Sequence, residues 1–208
     1  MPGLVSYFDL IAVAVFAVSG ALAAAEEKLD MLGFILFGTL TGIGGGTVRD
    51  LLLQSGPVFW IASVEYLWVC IGASVATWFL APFLQSAQRV LLWADGAGLA
   101  LFSVLGAAKA LDAGAAGVVA VVMGVMSASF GSLLRDTLMN RIPILLGPEI
   151  YVTACLLGAV GYATLTTAGV PVQAAMPLAI AAAFALRAAA LIWGLRLPKY
   201  ARSGASRP

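Results

Sequence analysis

Thr41-Gly42-Ile43-Gly44-Gly45-Gly46-Thr47-Val48-Arg49-Asp50 is followed 86 residues later (135 − 49) by Ser127-Ala128-Ser129-Phe130-Gly131-Ser132-Leu133-Leu134-Arg135-Asp136. The same register pairs Asp9 with Asp95, Phe16 with Phe102, Gly20 with Gly106, Gly38 with Gly124, Pro57 with Pro143 and Gly72 with Gly158, without a gap. Alanine and leucine coincidences carry no weight in this composition, but arginine, aspartate and proline are scarce, so their joint match identifies an internal duplication.

The surroundings of the two stretches define the class. The chain has 208 residues, 62% of them hydrophobic and 10% charged. Soluble domains carry about 25% charged residues, so this chain cannot cover a water-facing surface and belongs in a bilayer. A membrane span needs about 20 mostly apolar residues. Seven such runs are visible, near residues 7–25, 31–53, 58–80, 91–111, 114–138, 150–168 and 174–195, joined by short turns. The first run has no basic leader and is followed by further spans, so it reads as mature structure rather than a signal peptide. The expected fold is an all-α integral membrane protein. Repeat 1 covers about 7–80, repeat 2 about 91–168, a seventh helix about 174–195, and 198–208 forms a basic tail.

Three spans per copy is an odd number, so the second copy enters the membrane from the opposite side. This predicts two inverted three-helix repeats plus a seventh helix, an arrangement that builds transport routes at the repeat interface. Placing the C-terminus in the cytoplasm puts Lys28, Arg89, Arg135, Arg141, Arg196, Lys199, Arg202 and Arg207 on that side, with Arg49 and Lys109 opposite. The bias orients the N-terminus outside and the C-terminus in the cytoplasm.

Composition excludes several chemistries. A formal charge of +1 leaves no basic excess for nucleic acid. No histidine is present, and the two cysteines, Cys70 and Cys155, lie inside apolar runs. No catalytic residues, metal ligands or cofactor are therefore expected, and an enzyme is not. A seven-span light sensor needs a lysine in its last span, where this chain has Arg187.

Two readings of the repeated stretch stand side by side. Three consecutive glycines weaken a helix by up to about 1 kcal/mol each, so Gly44, Gly45 and Gly46 invite unwinding, which lipid tolerates only beside a watery cavity. The same small residues also allow helices to pack closely, which is the preferred reading of Gly38 and Gly124. In the second copy the break centres on Gly131 and is weaker. Thr41, Thr47, Ser127, Ser129 and Ser132 supply hydroxyls at these positions. Arg49-Asp50 and Arg135-Asp136 either face the bundle interior as a charged mouth at each end of a route, or end their helices and snorkel to the headgroups. Asp9 and Asp95 start the first span of each copy and are placed to pair with these arginines. Arg187 reads equally as a pore charge or as a counter-ion for an acidic residue such as Asp50.

The segment Gly44 to Leu52, followed by Pro57-Val58-Phe59-Trp60, resembles the signature of the prokaryotic TRIC family, the trimeric intracellular cation channels. The resemblance implies a homotrimer in which each protomer has its own pore, bounded by kinked second and fifth spans and conducting potassium and other monovalent cations. It assigns the first kink to Gly44, Gly45 and Gly46 and the second to Gly131, with Arg49, Asp50, Arg135 and Asp136 as the charged residues after them. Membrane lipid and monovalent cations are the expected partners. The chain ends in Ser-Arg-Pro rather than a reticulum retention signal, so a bacterial plasma membrane is expected. Related bacterial proteins are described as glycine transporters, and a secondary transporter of a small amino acid such as glycine uses the same kind of architecture. The trimer follows from the resemblance alone.

Overall fold

The computed structural model describes residues 2–84, 86–147 and 150–197, with backbone alone for 2–4; the expected basic tail, 198–208, lies outside the described residues. The chain is all-α. Its elements are α1 (Pro2–Glu26), α2 (Met31–Leu53), α3 (Phe59–Ala62), α4 (Glu65–Leu80), α5 (Ala87–Asp112), α6 (Gly117–Leu138), α7 (Val152–Thr167) and α8 (Val172–Trp193). Single 3₁₀ turns follow at Ala81–Phe83 and Ile144–Leu146.

Among the described residues, six apolar helices are long enough to cross a membrane: Val5–Glu26, Met31–Leu53, Glu65–Phe83, Ala87–Asp112, Gly117–Leu138 and Val172–Trp193. Val152–Thr167 is shorter, 16 residues, and at 1.5 Å per residue spans about 24 Å, less than the ~30 Å hydrocarbon core. The run expected at 58–80 divides into α3 and α4, because Ser63 is extended (φ −136°, ψ 99°) and turns the chain between them. Asp30 caps α2, its Oδ1 accepting from Gly33 N at 2.8 Å, and Ser86 caps α5 by accepting from Arg89 N at 3.2 Å. Each satisfies an orphan amide of the first turn.

α1 and α5 form the centre. In their apolar windows 61% and 72% of residues are buried, against 22% for the span built on α4. Phe16 of α1 stacks on its own repeat equivalent, Phe102 of α5, at 5.2 Å between ring centroids. α2 and α4 pack on α1, α6 and α8 pack on α5, and α2 crosses α6. Large apolar side chains turned outward, such as Leu36, Trp68, Val118, Leu178 and Trp193, present a hydrocarbon-compatible surface.

The glycine-rich stretch does not unwind. α2 is helical from Met31 to Leu53 and α6 from Gly117 to Leu138, so no carbonyl is freed at Gly44 to Gly46 or around Gly131. The expectation of a broken helix is corrected: these glycines serve close packing. Tertiary contact recovers what their poor helix propensity costs, which occurs where another backbone must approach.

Candidate functional site

The crossing of α2 and α6 is the first part of the site. A Cβ on Gly45 would lie 2.0 Å from the Ser127 carbonyl oxygen, and one on Gly131 would lie 2.3 Å from the Thr41 carbonyl oxygen. The two contacts are exchanged by the 86-residue register (127 − 41 and 131 − 45). Backbone therefore meets backbone, and no space remains between the helices at that level. The register also repeats the packing of α1 on α2 in that of α5 on α6. A Cβ on Gly20 would meet Thr41 Oγ1 at 2.5 Å, and one on Gly106 would meet Ser127 Oγ at 2.5 Å. Gly38 faces the Ala17 carbonyl and Gly124 the Ser103 carbonyl in the same way.

Apart from Ser127, whose Oγ has no hydrogen-bond partner among the described residues, the hydroxyls at and beside the crossing are held by their own helices. Thr41 Oγ1 donates to Phe37 O, Thr47 Oγ1 to Ile43 O and Ser129 Oγ to Val125 O, each at 2.7 Å. Ser132 Oγ donates to Ser129 O at 3.1 Å and meets Tyr151 Oη at 2.9 Å. Donation of this kind satisfies the proton inside an apolar bundle and leaves oxygen lone pairs as acceptors. Trp60 Nε1 uses one of them, donating to Thr47 Oγ1 at 2.9 Å.

A charged cluster lies at each end. At the α2 end, Arg49 is fully buried and its Nε donates to Asp50 Oδ1 at 2.8 Å. Asp50 Oδ2 accepts from Phe59 N at 2.9 Å, which fixes the first turn of α3. Asp9 accepts from Tyr66 Oη at 3.2 Å and pairs with Lys109. The Lys109 ammonium lies 5.1 Å above the Phe59 ring, and the Arg49 guanidinium is 5.8 Å from the same ring. Arg49 Nη1 and Asp9 Oδ1 have no hydrogen-bond partner among the described residues. Asp50, Lys109 and Asp112 line an opening of about 410 Å³ with Ser55 and Pro57.

At the α6 end the network closes. Arg135 Nε donates to Asp136 Oδ1 at 2.7 Å, and its Nη1 donates to Asp95 Oδ1 at 3.0 Å and to Ser19 Oγ at 2.8 Å. Ser19 Oγ lies 3.2 Å from Asp95 Oδ1. Asp136 Oδ2 accepts from Ile144 N at 3.1 Å, a bond like that of Asp50 with Phe59 but one residue out of the 86-residue register. The opening here, about 300 Å³, is lined by Glu26, Leu91, Arg135, Asp136 and Arg141 among others. Charge-assisted bonds inside a low-dielectric bundle are stronger than in water and hold these guanidinium groups in one orientation.

A family model described as Glycine transporter matches residues 6–82 and again 92–167. The inner membrane protein YadS of Escherichia coli is 38% identical over 95% of this chain and 97% of its own length. A membrane protein of Vibrio cholerae is 36% identical over 93% of this chain and 81% of its own length. Among solved structures, the TRIC trimeric intracellular cation channel orthologue from Rhodobacter sphaeroides is 46% identical, covers 92% of this chain and 99% of that chain, and superposes with a TM-score of 0.90. The chain belongs to the TRIC family. A prokaryotic TRIC channel solved in 0.5 M KCl is 27% identical over 95% of this chain and all of that one, with a TM-score of 0.88.

The residues singled out in this TRIC sequence take different places in the fold. Thr41, Gly44, Gly45, Ser127 and Gly131 meet at the crossing, Gly44 lying 3.5 Å from Gly131 Cα by its missing Cβ. Gly46 instead makes room for the Phe59 ring, 2.6 Å from where a Cβ would stand. Thr47, Ser129 and Ser132 flank the crossing through the bonds above. Of the expected ion pairs, Asp95 reaches Arg135, whereas Asp9 takes Lys109 and Tyr66 instead of Arg49.

Arg187 is not the counter-ion of Asp50. It is fully buried, its Nη1 donates to Ile150 O at 3.4 Å, and its guanidinium lies 5.4 Å from the Tyr151 ring centroid. Its Cγ packs on Gly96, 13 residues from Lys109 along α5, or about 20 Å. That places it at the end where Asp95 and Arg135 meet.

Lys109, Tyr66, Tyr151, Ser19 and Phe59 are site residues that sequence reasoning did not select. Lys109 was legible only as a basic residue of the outer side. The tyrosines and Ser19 carry no local pattern and join the site through helix packing alone.

Proposed function

We propose that this chain is a potassium-permeable monovalent cation channel. In this reading it has seven transmembrane helices, α1, α2, α4, α5, α6, α7 and α8, arranged as two inverted three-helix repeats plus α8. The N-terminus is outside, the C-terminus in the cytoplasm, and each protomer of a homotrimer has its own route. The observation that carries the proposal is the crossing of α2 and α6 through register-equivalent glycines, with an opening lined by opposed charges at each end. The similarity to TRIC channels over nearly the whole chain supports the function and the trimer. The double match of the family model at residues 6–82 and 92–167 supports the repeat.

The route runs along α2 and α6 between the Asp50 opening and the Asp136 opening, and the backbone contact at the crossing is the constriction that must widen. Neutral hydroxyl and carbonyl oxygens replace part of an ion's water weakly enough to let it leave. Paired charges offset most of the charge at the mouths: Asp9 and Asp50 balance Arg49 and Lys109 at one end, where Asp112 adds one negative charge, and Asp95 and Asp136 balance Arg135 and Arg187 at the other, where Glu26 and Glu27 exceed Arg141 by one. Uncompensated carboxylates would hold divalent ions too tightly for rapid passage.

Single-channel recording in planar bilayers under a potassium chloride gradient tests the reading. Discrete steps reversing near the potassium potential are expected. The family description favours a second reading, a carrier of glycine; silent bilayers together with uptake of labelled glycine into liposomes would replace the channel by that carrier.

Lys109 supplies a sharper expectation. Its ammonium stands over the outer mouth beside Asp9, and its side chain is 25% exposed. Lys109→Gln removes one positive charge there and raises the local cation concentration. Unitary potassium current at about 0.05 M salt is expected to rise roughly twofold, with the gain fading near 1 M as the Debye length falls to about 3 Å. Equal currents at every salt concentration would limit Lys109 to bracing Asp9.

A further inference from the structure

We propose that Arg141, with Glu26 and Glu27, is an electrostatic latch across the Asp136 mouth, and that the opposite mouth lacks one. The proposal rests on the reading of that mouth as one end of the ion route. Arg141 Nη1 donates to Glu26 Oε2 at 2.9 Å, and its Nε donates to Glu27 Oε1 at 2.6 Å. The bonds tie the segment after α6 to the end of α1, 115 residues away in the chain. Glu26, Leu91, Arg135, Asp136 and Arg141 line the same opening, and Leu91 is 3% exposed.

The latch is mechanically connected to the charged pair. Arg141 N donates to Asp136 O at 2.8 Å, and Ile144 N donates to Asp136 Oδ2 at 3.1 Å. Movement of the strap between these two bonds therefore pulls on the carboxylate that orients Arg135.

The opposite mouth has the same scaffold without the cation. The 86-residue register places Asp112 at the position of Glu26 (112 − 26) and Ser55 at that of Arg141 (141 − 55). Even the left-handed residue after the helix repeats, Gln54 (φ 49°) for Asn140 (φ 55°). Ser55 and Asp112 both line the opening there, but a serine cannot pair with the carboxylate as an arginine does. The Asp50 mouth keeps its own pairs, Arg49–Asp50 and Lys109–Asp9, but no arginine strap crosses it, so only the Asp136 mouth responds to ionic strength through this device. The latch side chains are 21% to 43% exposed, a range in which salt screens an ion pair effectively.

The test uses the full chain in liposomes with Leu91→Cys as a reporter in the wall of this opening; Cys70 and Cys155 are fully buried and give little background. Modification by a charged methanethiosulfonate reagent is expected to accelerate about three- to tenfold when Arg141→Gln is added, the scale of a partly exposed ion-pair network. The swap Arg141→Glu with Glu27→Arg should return the slow rate. Raising potassium chloride from about 0.1 M to about 1 M should speed modification with Arg141 intact and leave the Arg141→Gln protein unchanged. Equal rates with and without Arg141→Gln, an acceleration that the swap does not reverse, or a salt effect persisting without Arg141 would each overturn the latch. Potassium currents from the same preparations separate the two ideas. Absent currents with the expected rates remove the channel reading and keep the latch, whereas normal currents with equal rates do the reverse.

Discussion

Arg135→Leu is expected to destabilise the protein by about 3–5 kcal/mol, the cost of leaving a buried charge without its partner. The Arg135 and Asp95 side chains are 1% and 0% exposed, and the guanidinium also serves Asp136 and Ser19. Removing it leaves two carboxylates facing each other in an apolar bundle. Asp95→Asn should cost less, because an amide still accepts from Arg135 and Ser19 while Asp136 remains as counter-ion. The double replacement Arg135→Leu with Asp95→Leu should recover part of the loss, since an apolar pair of similar volume no longer pays for desolvation. Thermal unfolding in detergent, followed for the single and double variants, measures the order. An Arg135→Leu protein melting with the wild type would mean that water reaches the network and screens it.

Gly45→Ala should act at the crossing with comparable force. The added methyl would stand 2.0 Å from the Ser127 carbonyl oxygen, closer than any real contact, and a carbonyl within a helix cannot step aside without moving α6. Overpacking of a tight interior typically costs about 1–3 kcal/mol, and the rigid backbone neighbour places this site at the upper end. Gly45→Leu is expected to abolish both folding yield and potassium current. Gly72→Ala is the control: nothing lies within 4 Å of its missing Cβ, and a helix gains up to about 1 kcal/mol from the replacement. Melting temperatures that fall for Gly45→Ala and hold or rise for Gly72→Ala would assign the effect to the crossing rather than to lost glycine flexibility.

Gly72 and Gly158 also show where duplication stops being informative. They match in the 86-residue register, yet Gly158 faces Ser103 Oγ at 2.4 Å and Ala183 Cβ at 3.1 Å, while Gly72 faces open space. Ser103 of α5 stands where the first copy has Ala17 (103 − 17 = 86), and Ala183 comes from α8, which has no counterpart in the first copy.

Membrane class and most helix positions were determined by the sequence itself, because hydrophobic run length is a local quantity that the bilayer reads one segment at a time. The duplication was legible for a related reason: Arg49-Asp50 and Arg135-Asp136 are rare residues at a fixed spacing. The use of the glycines was not legible. Gly44 to Gly46 have the same local preference whether a helix unwinds or another helix presses against it, and the Ser127 carbonyl that decides between them lies 82 residues away (127 − 45). The charged partners were decided at the same level. Asp9 pairs with Lys109 and Asp95 with Arg135 because of how α1, α5 and α6 pack, a relation between distant segments that no local pattern encodes.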